Sequence, residues 1–294
     1  MHKTKVAFAA LGVTAALVFS QPAFSAAEPT MAGFTDANST KIDFGLMTWP
    51  EVKAALAAGK TTALFYTGGV EQRGPQNANA GHNLMGTATV RAIATKLGNA
   101  IAMPVLPYTP NNASADLPGT IGLTPDILAM VLERLSEQAI ASGFKNVVIM
   151  GDHGGGQPKA YEGVAKKLEA KYAAQGIHVY YCNDVYTTAN DAFDKYLADH
   201  GFPPSQHGGI PDTASMMYLG GDTWVRKDLV ATALGDPVPP PGTPFGGGVQ
   251  KIKNGIIGDA RKATPELGKI VFEMKVDHAV KQIKALAGSA KAAP

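Results

Sequence analysis

A chain of 294 residues with a formal charge of +2, 45% hydrophobic and 17% charged, has the composition of a folded globular protein, neither disordered nor fibrous. So weak a net charge gives little field to draw nucleic acid or an anionic membrane surface, and neither is expected as a partner. Cys182 is the only cysteine, which excludes an intrachain disulfide and a zinc site built from thiolates.

Lys3 and Lys5 precede an apolar run from Val6 to Phe19, and small residues follow through Ala23-Phe24-Ser25-Ala26. This is the pattern of a secretory leader over 1–25, cut after Ser25 or Ala27, and the run is short for a membrane span of about 20 residues. A periplasmic or secreted protein is expected, and loss of two lysines leaves the mature chain near neutrality. Residues 26–41 lack long apolar runs and read as an exposed arm.

The folded domain is expected over 42–287. A first helix starts near Thr48, a plausible N-cap with Pro50 tolerated in the first turn, and ends by Gly59. Thr61 to Tyr66 reads as a buried strand that leads through Gly68-Gly69 into a polar loop ending near Gly81. Helical periodicity follows from Asn83 to Leu97, then a second strand from Ala100 to Leu106 and a loop to Gly119. Thr124 to Ser142 predicts a long amphipathic helix, and Lys145 to Met150 the clearest strand. A helix from Lys159 to Tyr172 and a strand from Ile177 to Cys182 continue the alternation, in which Cys182 reads as a buried, inert thiol. Beyond the Pro- and Gly-rich loop from Gly235 to Gly248, regular structure resumes briefly at Gly255 to Gly258. A last helix spans Pro265 to Leu286, with 288–294 a flexible tail. Strands that are apolar on both faces and alternate with helices predict an α/β fold, a mostly parallel sheet covered on both sides.

Ligands of such sheets bind beyond the carboxyl ends of the strands. Glu71, Arg73 and His82 follow the first strand, Asp152 and His153 follow the strand ending at Met150, and a later polar loop carries His207 with Asp212 at the start of another helical stretch. Imidazole and carboxylate without thiolate suit zinc, and also manganese or iron. Each histidine taken singly reads equally well as a satisfied loop residue; their shared placement favours a metal site. His2, His178, His200 and His278 have no such setting.

These segments resemble the creatininase, or creatinine amidohydrolase, family across nearly the whole mature chain. Met47-Thr48-Trp49-Pro50-Glu51, Gly68-Gly69-Val70-Glu71-Gln72-Arg73-Gly74-Pro75, Leu117-Pro118-Gly119-Thr120-Ile121, Gly151-Asp152-His153-Gly154-Gly155-Gly156, His207-Gly208-Gly209-Ile210-Pro211-Asp212-Thr213 and Gly255 to Thr264 are similar to its motifs in the same order. The resemblance implies a three-layer α/β/α domain, a homo-oligomer (commonly a hexamer), and hydrolysis of a small-molecule substrate at a non-peptide C–N bond by a pair of divalent metals. Arg73 stands where the family has a histidine ligand of the second metal, and His82 where it has a bridging aspartate. Arginine stays protonated and cannot bind a cation. A single ion held by Glu71, His82 and His153 is therefore expected, with Asp212 either a fourth ligand or the partner of Arg73. His207 matches the family's histidine near the substrate and is the candidate for proton transfer; Arg73 is a candidate to bind a substrate carboxylate. The runner-up expectation is a non-hydrolytic descendant, a lyase, isomerase or small-molecule binding protein with an altered metal site; a scaffold that merely retains its histidines is the third.

Overall fold

The computed structural model describes residues 41–111, 117–154, 157–240 and 252–292. The leader, nearly all of the arm, and Gly155-Gly156 of the glycine run lie outside them.

Four strands, β1 (Thr62–Thr67), β2 (Ala100–Ala102), β3 (Asn146–Gly151) and β4 (His178–Tyr181), form one parallel sheet in the order β2-β1-β3-β4. Seven α-helices are described: α1 (Trp49–Ala57), α2 (Gly81–Leu97), α3 (Pro125–Ala141), α4 (Gln157–Tyr172), α5 (Thr187–Asp199), α6 (Ile210–Gly220) and α7 (Pro265–Ala292).

Strand alternation sorts the core into two halves. Ala63, Phe65, Val147 and Ile149 face one way, against Leu128 and Leu132 of α3 and Val164 and Leu168 of α4. Leu64, Tyr66, Val148 and Met150 face the other, against Val90 and Ile93 of α2 and Val276 and Val280 of α7. Each sheet face is thus sealed by a helical layer, the three-layer arrangement expected, and all six residues of β1 are buried. Cys182 belongs to the second half, where burial pushes its thiol up to about 12, well away from reactivity at neutral pH.

Three elements differ from expectation. β2 stops at Ala102 because Pro104 has no N–H to donate to a ladder, and Leu106 regains contact only as a single bridge to Thr67. α5 has no counterpart in the sequence reading, although Ala189, Phe193, Tyr196 and Leu197 recur at helical spacing. α7 continues six residues past Leu286, to Ala292, through an alanine-rich stretch that also holds Gly288 and Ser289, where a tail was expected.

The strand order has one reversal. From β1 the chain moves outward to β2, then returns past β1 to β3 and continues to β4. The switch point lies between β1 and β3, whose carboxyl ends, Thr67 and Gly151, are in register. Diverging connections there leave a crevice above the sheet, and the segments carrying Glu71 and His153 both begin at it.

Candidate metal centre

Glu71 leaves β1 after Gly68 and Gly69, and His153 follows β3 by two residues. Gly69 is required for their approach: a Cβ there would lie 2.5 Å from Nε2 of His153. His82 sits in the first turn of α2, two residues earlier in helical structure than the sequence pattern shows, where the positive end of the helix disfavours an imidazolium. Glu71, His82 and His153 each offer a ligand atom within 4.8 Å of the others, and all three are buried. The His82 and His153 rings are 3.6 Å apart, centroid to centroid.

The loop carrying Glu71 and Arg73 is tied to α6 by side-chain amides. Gln76 donates to the carbonyl of Gly208 and to Oγ1 of Thr213, each at 2.9 Å, and Asn77 donates to Thr213 and to the carbonyl of Arg73. Gly208, at φ +66°, passes so close to Arg73 and Gly255 that a Cβ would meet backbone within 3.0 Å. His207 and Asp212 are thereby brought to the same edge of the sheet. Nδ1 of His207 lies 3.2 Å from Glu71, and its Nε2 donates to the carbonyl of Gln72 at 3.0 Å.

The electrostatics follow from burial and neighbours. Burial alone would raise the Glu71 carboxyl, but His153, His207 and His82 around it prevail and hold it well below the usual carboxylate range. Burial, then Arg73 and His153, push the His82 imidazole well below its ordinary value, so it is neutral at pH 7. Burial also lowers His207, against the pull of Glu71.

The residues fit a divalent cation. Oε2 of Glu71 and Nε2 of His153 are buried without a hydrogen-bond partner, and a carboxylate with two imidazoles is a donor set for zinc or manganese. His153 Nδ1 is 3.0 Å from Glu71 Oε2. The three open onto a cavity of about 360 Å³, whose wall also carries His207, Asp212 and Lys275.

The geometry bears on Arg73 and Asp212 as well. Arg73 is fully buried and is not among the residues lining the cavity; its guanidinium is drawn onto Nε2 of His82 and, at 3.4 Å, onto Asp212. Asp212 lies outside the three-residue cluster. Its Oδ2 takes Arg73 and the N–H of Gly208 at 2.8 Å, so of the two roles left open for it the geometry shows the ion pair. Burial works against the charge of Asp212, but Arg73 keeps its carboxyl below the usual range.

Sequence placed Asp152 at the same edge but gave it no role, and Lys275 had no part in the sequence-based site. Asp152 is buried, with Oδ2 3.5 Å from Nδ1 of His82, and its Oδ1 accepts from the Lys275 ammonium. A signal for Lys275 existed: it lies one turn from both Val271 and Ala279, interrupting a fully buried stripe.

A parallel α/β/α sheet with a carboxylate–histidine metal centre at its switch point defines a metallohydrolase class. The creatininase family model, creatinine amidohydrolase, matches residues 45–283, and the chain belongs to that family of metal-dependent hydrolases acting on non-peptide C–N bonds. It is 26% identical over 251 residues to a creatinine amidohydrolase of Pseudomonas putida, covering 81% of this chain and 94% of that one. A solved manganese creatininase shares the fold with a TM-score of 0.65 at 23% identity, over 83% of this chain and 98% of its own. A creatininase variant of zinc–zinc type gives 0.65 at 23% identity, over 83% and 97%. A putative creatinine amidohydrolase from Bacteroides fragilis gives 0.64 at 16%, over 84% and 97%.

Proposed function

We propose that this chain is an exported amidohydrolase that opens the C–N bond of a small cyclic amide, lactam or formamide with one divalent ion held by Glu71, His82 and His153. The observation that carries the reading is the convergence of those three buried side chains, drawn from the two sides of the switch point, on the floor of a cavity large enough for a small molecule. Manganese and zinc in solved relatives of the same fold support either ion, and the nitrogen–oxygen donor set favours zinc.

When bound, the ion polarises the scissile carbonyl and brings the pKa of water to about 7. The chain's own residues do the rest. Burial lowers the His207 imidazole, and the Gln72 carbonyl takes the proton on Nε2, which leaves the lone pair on Nδ1, on the side of Glu71. It takes a proton at Nδ1 and returns it to the departing nitrogen. Asp212 holds Arg73, and Arg73 keeps a permanent positive charge where the family places its second metal, which supports one ion in place of two.

A second reading has its own observation. Arg73 donates to His82, so an ion and a guanidinium contend for one lone pair, as expected of a binding protein whose centre no longer activates water. Zinc-loaded protein tested against a panel of creatinine, other five-membered cyclic amides, lactams and formamides separates the two: ring opening on any member supports hydrolysis, and binding without turnover across the panel supports the second reading. Export is tested by the amino terminus of the mature protein, which begins after Ser25 or Ala27 on this proposal. Assembly as a homo-oligomer, hexameric by resemblance, is tested by light scattering.

A further inference from the structure

Lys275 is a lysine where the fold calls for an apolar residue. Its neighbours one turn away, Val271 and Ala279, are fully buried, and its own side chain is 10% exposed. A lysine is rarely so buried unless paired. Its ammonium meets Oδ1 of Asp152, whose side chain is 2% exposed, and it reaches the wall of the same cavity as the metal centre. Asp152 immediately precedes His153, and its second oxygen faces Nδ1 of His82 at 3.5 Å.

His82 lies between two neighbours. Arginine can only donate, so Nε2, in contact with Arg73, presents a lone pair. The opposite edge of the ring, Nδ1, is 3.5 Å from Oδ2 of Asp152. Metal-binding histidines ordinarily present their other ring N–H to a carboxylate, which orients the ring and raises its basicity. Asp152 can serve in this way only while it is held in place, and the Lys275 ammonium holds it.

We propose that Lys275 is a positioning residue for metal binding: through Asp152, which precedes His153 and packs against His82, it holds the ligand side chains in place, and so sets the affinity of the centre for its ion. The inference rests on the metal-site reading above. A merely structural ion pair, pinning α7 to the end of β3, predicts a loss of stability and no change in metal affinity.

Zinc affinity measured by competition with a chromophoric chelator separates these possibilities, on the full mature chain, its Lys275→Met, Lys275→Arg and Asp152→Asn variants, and His153→Ala as a ligand control. The expected result is a loss of about 10–100-fold in affinity for Lys275→Met and for Asp152→Asn, with Lys275→Arg within about tenfold of the parent. The Lys275→Met, Asp152→Asn double variant should be no weaker than the worse single variant, because the two act in series. Cobalt-loaded Lys275→Met should also show shifted visible bands, a signature of altered coordination that a structural role would not move. A Lys275→Met variant that melts earlier yet binds zinc as the parent does overturns the proposal. If that variant does not fold, parent-like affinity in Asp152→Asn overturns it equally. A parent chain that binds zinc no better than His153→Ala overturns the proposal together with the metal-site reading, and so marks that failure apart from the others.

Discussion

Nη2 of Arg73 donates to Nε2 of His82, placing a permanent cation on the only lone pair of a buried neutral imidazole. An ion bound by His82 takes that same lone pair. Arg73→Met should therefore tighten zinc binding by about tenfold or more, a fraction of the roughly 4 kcal/mol that two unit charges at 4 Å exchange under partial shielding. It should also leave Asp212 without its cation and lower stability by about 3–5 kcal/mol, since Arg73 is fully buried and Asp212 is 16% exposed. Titration calorimetry and urea unfolding measure the two effects on one sample; unchanged zinc affinity would show that Arg73 does not compete.

Gly69 gives way to His153 at a distance no side chain can share. Gly69→Ala should displace the imidazole and reduce kcat/KM by on the order of 100-fold, the usual consequence of misplacing a reacting group by about 1 Å. The same substitution at Gly59, where a Cβ meets nothing within 4 Å, is the control. Its positive φ strains any side chain, so it should cost stability without touching the turnover of the folded fraction.

The metal-free protein should lose stability in mild acid. His82 and His207 titrate below their ordinary value near 6.5 in the fold, so beneath about pH 6.5 the unfolded chain binds more protons and unfolding is favoured. Each contributes a slope of up to about 1.4 kcal/mol per pH unit until the pH falls to its folded value. Glu71 and Asp212, depressed in the fold, add stability that is present above about pH 4 and lost as the pH drops further, so they act in the same direction at lower pH. Urea midpoints at pH 7.5 and 5.5 test this; equal midpoints would contradict the buried neutral histidines.

His207→Asn should lower kcat/KM by about 10²–10⁴-fold while zinc affinity stays near that of the parent, because proton transfer is its task and the ion is held by others. Loss of zinc in this variant would instead make His207 a ligand.

The sheet was legible because its strands are apolar runs bounded by Gly and polar residues, and Glu71, His82 and His153 were legible because they follow strand ends that a parallel sheet gathers at one edge. Thr48 acted as read, closing a capping box with Glu51 at the start of α1. The helix α5 was missed although Ala189, Phe193 and Leu197 recur every fourth residue. Arg73 was read as facing substrate because the order of residues along a loop does not show which way a side chain turns; Asp212 and His82, both acceptors on other segments, decided that. Lys275 was missed for a related reason: its partner Asp152 is 123 positions away in the chain.

Elemental analysis of protein purified with zinc and desalted tests the central claim most directly. One equivalent per chain, reduced to a trace by His153→Ala, is the result this account predicts. Two equivalents would show that Arg73 has not replaced the second ion, and none would remove the metal centre altogether.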